Sequence, residues 1–381
     1  MPSLMRRINE RRVFEKLQRD GPMSRADLSR RTQISPRTIS TVVASFLARG
    51  LVEEQEPIKT SVGRPAKVVQ LCKTHARILA ITLGPKMCEL ALCGLDGSLE
   101  DGLRLTFLTP SSYNSLLDSL ERHANKLIGT RSVSVLGLGL CAPAMVDTNQ
   151  QYFVRSSQIP MLRSQSPGRE LAKRLNIEVS VLLKRDNALC LAESYYGLAK
   201  RNQNFVVIDL YDGLGVSAVI RGQLFAGATG LATEIGHTMI ERDGKPCACG
   251  SIGCFETVAT DKALVELLSE NIGREFTIDA VIDGVRDGSI AAIEEINQVV
   301  EYLSVFAAGV INTFNPDSLF VFGRLFDVAL GLFERFQERV QRRSIREIFS
   351  QCQIQRGRAT SLQGVIAGVL SRLIGERLID V

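Results

Sequence analysis

A chain of 381 residues, 45% of them hydrophobic, is too long for one ordinary core and too apolar to remain disordered, so two or three folded domains are expected. No uninterrupted stretch is long enough to span a bilayer, and the charged start, with Arg6, Arg7, Arg11 and Arg12, does not resemble a secretory leader; the expected compartment is the cytoplasm. The net charge of +5 is unevenly placed: residues 1–70 carry 14 Lys/Arg against 7 Asp/Glu, a net of +7, and the remainder stands at −2. Positive charge gathered in the first fifth suits a head that meets phosphates, with an ordinary solvated helical face as the alternative.

In chain order, Ile8, Val13, Phe14 and Leu17 recur at helical spacing and predict a first amphipathic helix, stopped by Asp20-Gly21-Pro22. Ser24 with Asp27 three residues on forms a capping box for a short second helix, and Thr32-Gln33 is the turn after it. Ser35 caps a third helix with Pro36 in its first turn, where a missing N–H costs nothing. Ile39, Val42, Val43, Phe46 and Leu47 form its buried stripe and Gly50 ends it. This is a helix-turn-helix, whose second helix enters the major groove of DNA with its N-terminal residues towards base edges. Arg37 is the first choice for a guanine contact, with Thr38, Ser40 and Thr41 as hydroxyl partners for bases or phosphates; which of the four touch bases stays open. Leu51-Val52 and residues 68–71 read as strands around a polar loop holding Gly63-Arg64-Pro65, a wing whose Arg64 can reach phosphates or the minor groove.

From Arg77 the periodicity becomes that of an α/β body with mixed sheets. Residues 78–81, 88–93, 103–107 and 134–140 read as strands, residues 113–127 as a helix, and strand, helix and Gly-rich strand recur over 205–220. The last third is mainly helical over 258–276 and 290–314, with a strand at 319–322 and closing helices from Val328. The expected domains are residues 1–75, a winged helix-turn-helix; 76–200, a first α/β lobe; and 201–381, a second lobe with the closing helices.

The sharpest chemical signal is His237 followed by Cys247, Cys249 and Cys254 in a Gly-rich loop. Three thiolates and an imidazole make a tetrahedral set suited to zinc, and four protein ligands leave no position for water, so the site is structural; three buried thiols beside a core histidine are the alternative. Zinc would pin the loop that carries Glu234, His237 and Glu256, and would leave one ring nitrogen of His237 to orient a neighbouring group. The other six cysteines sit singly among apolar residues, as buried thiols do.

By these residues the chain resembles the ROK family of bacterial sugar kinases and winged-helix repressors, over nearly its whole length, and specifically the repressor branch, which carries the DNA-binding head. Glu234-Ile235-Gly236-His237 and the run from Cys247 through Gly250, Gly253 and Cys254 to Phe255-Glu256 are similar to the family's zinc and sugar signature. The resemblance implies a two-lobed sugar-kinase-like body of the actin/hexokinase, ribonuclease H-like kind. It implies zinc on His237, Cys247, Cys249 and Cys254, with Glu234, His237 and Glu256 beside a sugar pocket. It further implies a homodimer or homotetramer that answers to a sugar or a partner protein, bacterial and associated with the nucleoid.

The departures bear on chemistry. Where the kinases carry an acid and a Gly-Gly-Thr phosphate loop, this chain has Thr82-Leu83-Gly84-Pro85-Lys86, and proline has no N–H to offer a phosphate. Lys184 and Arg185 stand where the family has Asn-Asp. Asp186 follows one residue late, a rotation of about 100° if a helix starts there. Gly323-Arg324 replaces a Gly-Gly pair. These lesions argue against phosphoryl transfer, which depends on positioning. Lys184 and Arg185 suit an acidic or phosphorylated ligand, or else are solvated beside a vestigial pocket. The expected function is a sequence-specific regulator on a two-fold symmetric double-stranded operator, with a sugar or sugar phosphate as effector and no catalysis. A residual sugar kinase acting through Asp186, and a scaffold with weak non-specific DNA binding, are the competing readings.

Overall fold

The computed structural model describes residues 4–55, 67–129, 133–211 and 213–374. The head is built from α1 (Leu4–Asp20), β1 (Met23–Ser24), α2 (Arg25–Thr32), α3 (Pro36–Ala48), β2 (Val52–Gln55) and β3 (Val68–Leu71). Ser24 Oγ accepts from the N–H of Asp27 and Ser35 Oγ from that of Thr38, so both short helices start on side-chain caps. Gln33, left-handed at φ 55°, makes the turn between them. Val13, Phe14, Leu17, Leu28, Ile39, Val42, Val43 and Phe46 are buried together, with Phe14 edge-on to Phe46. Strands β2 and β3 pair antiparallel from Val52↔Leu71 to Gln55↔Val68 and form the arms of the wing. The wing tip, Arg64 included, lies outside the described residues. Strand β1 joins the far side of β3, giving the order β1-β3-β2; Ser24 is thus strand residue and helix cap at once.

The first lobe follows: β4 (Ala76–Leu83), β5 (Met87–Gly94), β6 (Arg104–Leu108), α4 (Tyr113–Ile128), β7 (Ser134–Ala142), the small hairpin β8 (Met145–Asp147) and β9 (Tyr152–Arg155), α5 (Pro167–Arg174), β10 (Ser180–Lys184) and α6 (Arg185–Tyr195). Its sheet has the order β10-β7-β4-β5-β6, with parallel pairing on one side of β4 and antiparallel on the other. The second lobe repeats the plan with β11 (Phe205–Asp209), β12 (Gly215–Ile220), β13 (Gln223–Leu224), α7 (Asp261–Ile272), α8 (Ile278–Arg286), α9 (Ile293–Phe314), β14 (Ser318–Phe322), α10 (Leu332–Arg343), α11 (Arg346–Phe349), β15 (Gln353–Arg356) and α12 (Ser361–Leu373). The sheet order is β13-β12-β11-β14-β15, again mixed.

Two expectations are corrected. Residues 205–220 hold no helix: β11 and β12 form a hairpin, paired from Phe205↔Val219 to Asp209↔Gly215, because the few residues between two buried apolar runs are too short to nucleate one. The closing helix α12 packs on β4, β7 and α6 rather than with the second lobe, whose span in the sequence it shares. Leu362, Val365, Ile366, Ala367, Val369 and Leu370 are all buried, and a helix apolar on so many sides must be covered on all of them. Helices α6 and α12 therefore lie between the two sheets, while α4 and α5 cover the outer face of the first sheet and α7 to α10 that of the second.

Candidate functional site

The strands β7, β10 and β11 end at one cleft between the lobes, and there a cavity of about 350 Å³ opens. Lys184 ends β10 and Arg185 and Asp186 form the first turn of α6, so a single strand-to-helix junction delivers three charged side chains. Glu234 and His237 come from the loop after β13, and Glu256 from the turn that follows Cys254. All six residues singled out in the sequence line the cavity. The one-residue offset of Asp186 does not remove it from the wall.

The charges are already paired. Lys184 Nζ lies 2.6 Å from Glu234 Oε1 and 3.0 Å from Asp186 Oδ2. Burial works against the Lys184 ammonium, but the two carboxylates outweigh it and hold its pKa above the usual lysine range. Burial pushes Asp186 up to about 6, with Lys184 pulling the other way. Arg185 Nε sits 3.2 Å from Asp209 Oδ2, and its guanidinium lies 4.5 Å over the Tyr211 ring. Lys184 and Arg185 therefore each meet a carboxylate of the cavity wall. Glu256 Oε2 accepts from the N–H of Leu214. Arg155 of β9 donates to the carbonyls of Ala248 and Cys249, clasping the cysteine loop across the cavity mouth.

Arg155, Ser156, Gln158 and Asp209 also line the cavity and escaped the sequence reading. Asp209 left a signal, a carboxylate closing the buried run Phe205-Val206-Val207-Ile208 just before a Gly-rich turn. Arg155 left none, since its role depends on the two lobes meeting.

Below the cavity, His237, Cys247, Cys249 and Cys254 place one donor atom each within 4.8 Å of one another. Tetrahedral zinc sets two sulfurs about 3.8 Å apart and a sulfur and an imidazole nitrogen about 3.6 Å apart. Here Cys249 and Cys254 Sγ are 3.7 Å apart, and Cys247 Sγ is 3.5 Å from His237 Nδ1. The loop turns tightly enough to do this because Gly253, at φ 62°, lies where a Cβ would meet the Glu241 carbonyl at 1.7 Å. His237 faces two ways: Nδ1 meets the cluster, and Nε2 lies 3.8 Å from Glu234 Oε2 on the cavity side. The other six cysteines are buried singly, as their setting predicts.

The segments that resemble a phosphate-handling apparatus are occupied. Gly84 closes the β4–β5 hairpin by donating to Met87 O at 3.0 Å, and its own carbonyl accepts from Thr109. After β14, the N–H groups of Arg324 and Leu325 both donate to Asp261, at 2.6 and 2.8 Å. Burial pushes that carboxyl up to about 7 against the pull of these two donors.

In the head, Arg37, Ser40 and Thr41 are exposed on the N-terminal half of α3 and Thr38 is half-buried. Thr38 shares its hydroxyl with Ser35, and Thr41 Oγ1 donates back to Arg37 O.

The profile of the ROK family matches residues 78–369. The chain belongs to the ROK family. The xylose repressor of Bacillus spizizenii is 25% identical over 320 residues, which cover 83% of this chain and 82% of that one. Among solved structures, a ROK family transcriptional regulator homologous to the Escherichia coli MLC protein superposes with a TM-score of 0.80 at 24% identity, covering 97% of both chains. A ROK family glucokinase from Streptomyces griseus, solved with glucose and AMPPNP, superposes with a TM-score of 0.67 at 19% identity, covering 78% of this chain and 99% of the kinase. The two-lobed kinase-like fold is therefore common to this chain and to both solved structures, one a regulator and one a kinase. Among the described residues, no helix is long and apolar enough to cross a membrane.

Proposed function

We propose that this chain is a DNA-binding transcriptional repressor whose kinase-like body binds an uncharged sugar and performs no phosphoryl transfer. The observation that carries the reading is α3, a capped helix with Arg37, Ser40 and Thr41 exposed on its first turns, set in a winged head that holds the chain's excess positive charge. Relatives named as repressors support the same reading. Arg37 reads a base edge, Thr38, Ser40 and Thr41 contact bases or phosphates, and Arg64 anchors the wing on the backbone. Two heads of a homo-oligomer, a dimer or a tetramer, meet the halves of a two-fold symmetric operator.

In the cleft, Glu234, Glu256 and the Nε2–H of His237 address sugar hydroxyls. Lys184, Arg185 and Asp186 form the floor, and the near balance of charge there favours a neutral polyol over a sugar phosphate. Zinc on His237, Cys247, Cys249 and Cys254 is structural: it holds the loop that brings Glu234 and Glu256 to the cavity and fixes the proton of His237 on Nε2. The kinase reading is disfavoured by Pro85 at the hairpin tip, by Asp186 held on the Lys184 ammonium, and by the backbone donors that Asp261 already occupies.

The test is a footprint of the zinc-loaded protein on the promoter regions of its own gene and its neighbours. It is done at about 0.15 M salt, where non-specific phosphate contacts weaken, with and without a panel of sugars and sugar phosphates. A compact, two-fold symmetric protected site that changes with a neutral sugar is expected. Diffuse protection overturns the operator reading in favour of a scaffold. Sugar-dependent ATP consumption that is lost in Asp186→Asn overturns the non-catalytic one.

A further inference from the structure

Besides the apolar core it shares with the body, the head is held by side-chain hydrogen bonds at the C-terminal ends of α6 and α12. Helix α6 starts at Lys184, Arg185 and Asp186 in the cavity wall and runs about 16 Å to Tyr195 and Tyr196. There Gln18 Nε2 of α1 donates to Tyr196 Oη at 2.9 Å, the Arg19 guanidinium lies 5.2 Å over the Tyr195 ring, and Lys200 Nζ donates to Arg19 O at 3.3 Å. That ammonium meets the Arg19 carbonyl in the last turn of α1, where a cation is favoured. Helix α12 starts at Ser361, whose hydroxyl is 3.4 Å from that of Thr82 on β4, level with Cys141 of β7 two residues before Pro143 in the cavity wall. It finishes at Leu373, whose carbonyl accepts from Arg49 Nη2 at 2.6 Å. Arg49 is the C-cap of α3, so the helix that carries Arg37 is tied by its end to the end of α12.

The two helices are locked to each other. A Cβ on Gly364 of α12 would stand 1.7 Å from the Ala188 carbonyl of α6, so backbone meets backbone and neither helix can shift without the other. The buried carboxylate of Glu193 on α6 accepts from the N–H groups of Arg358 and Ala359, just before α12.

We infer that α6 and α12 move as one unit that transmits the state of the cleft to the head, through the Arg49–Leu373 and Gln18–Tyr196 clasps. The inference rests on the reading of the cleft as an effector site and of α3 as the DNA-facing helix. It adds Gln18, Arg49, Tyr196 and Gly364 as coupling positions that touch neither ligand. Such coupling requires two discrete arrangements, and the inference places them in the seating of this helix pair against the first sheet.

The experiment is amide hydrogen exchange on the full chain without DNA or sugar. Lys184→Met perturbs the cleft end of α6. Exchange is expected to rise at least threefold in residues 185–189, in residues 13–20 of α1 and in residues 44–49 at the end of α3, with α4 unchanged. In a Gln18→Met/Arg49→Met background, Lys184→Met should still loosen residues 185–189 but leave α1 and α3 within a factor of about 1.5 of that background. Unchanged exchange in α1 and α3 on Lys184→Met overturns the inference, as does a response that persists without the clasps. If Lys184→Met loosens α4 equally or fails to fold, Arg185→Met, which breaks the Asp209 and Tyr211 contacts at the same helix end, takes its place and the same comparison decides. Neither DNA nor sugar enters, so a failed footprint and a failed exchange experiment are separate results.

Discussion

Lys184 Nζ donates to Glu234 Oε1 at 2.6 Å across the interlobe cleft, joining the end of β10 to the loop that leads into the cysteine cluster. The lysine side chain is 15% exposed and the glutamate 27%, so water screens the pair only in part. Removing one partner leaves carboxylates in a poorly solvated place. Lys184→Met should lower the unfolding free energy by about 3 kcal/mol. Lys184→Met/Glu234→Gln should recover about 1 kcal/mol or more relative to the sum of the single changes. Urea unfolding of the four proteins of the cycle measures both.

Arg37 and Arg64 should weaken operator binding in different ways. Arg37→Ala removes a base contact and is expected to cost about 1–3 kcal/mol, with selectivity relaxed at one position of each half-site. Arg64→Ala removes a phosphate or minor-groove contact, so affinity should fall alike on all sequences and the slope of log K against log salt should shrink by about one. Titrations of operator and scrambled DNA at three salt concentrations separate the two behaviours. Equal loss of selectivity in both variants would reverse the assignment of α3 and wing.

Zinc should be present at one ion per chain and should be absent from Cys249→Ser when that variant is purified. At metal about a thousandfold above its dissociation constant, binding contributes about 4 kcal/mol, so chelation should lower the melting temperature by about 5 °C. Since the proposed zinc would hold the loop that carries Glu256, sugar binding should be lost on chelation while binding to operator DNA persists. Metal analysis, thermal melts and calorimetry with the footprint's active sugar provide the readouts.

Asp261 predicts a pH dependence of stability. Its folded pKa of about 7 lies above the unfolded 3.8, so the folded chain holds the proton more tightly. The stability this gives is complete below about pH 4 and is lost as pH rises through about 7. Between pH 5 and 7.5 the unfolding free energy should therefore fall, by at most about 3 kcal/mol from this group. Asp209 and Arg324 are its charged neighbours. Asp261→Asn should flatten that part of the profile, and should be less stable at pH 5 because an amide N–H then confronts one of the backbone donors of Arg324 and Leu325. Chemical denaturation at four pH values decides it.

What could be read from the residues was whatever is local. Ser24, Ser35 and Pro36 announce helix starts because capping acts within one turn, and the buried stripe of α3 follows from period alone. The cluster of Cys247, Cys249 and Cys254 with His237 was legible because metal ligation demands soft donors at close spacing. Partners distant in sequence were not. Strand β1 is two residues long and exists only because β3 lies beside it. The fate of Lys184 and Arg185 depended on where Glu234 and Asp209 fell, and the placement of α12 on the first sheet depended on the fold closing on itself. The clasp of Arg155 on the cysteine loop is a meeting of two lobes and leaves no periodic trace.

The apolar core of the head runs without a break into the layer between the sheets, from Phe14 and Val69 through Cys72, Ala76 and Leu95 to Tyr195. This continuity makes the head a poor cassette. A chimera that exchanges residues 1–75 between relatives transplants half of an interior surface, and the recipient must match it with its own small and aromatic residues around β4 and the end of α6. A kinase that gained such a head by fusion would first have had to repaint that face, and cutting the head away from this chain would leave the face greasy and the remaining body prone to self-association.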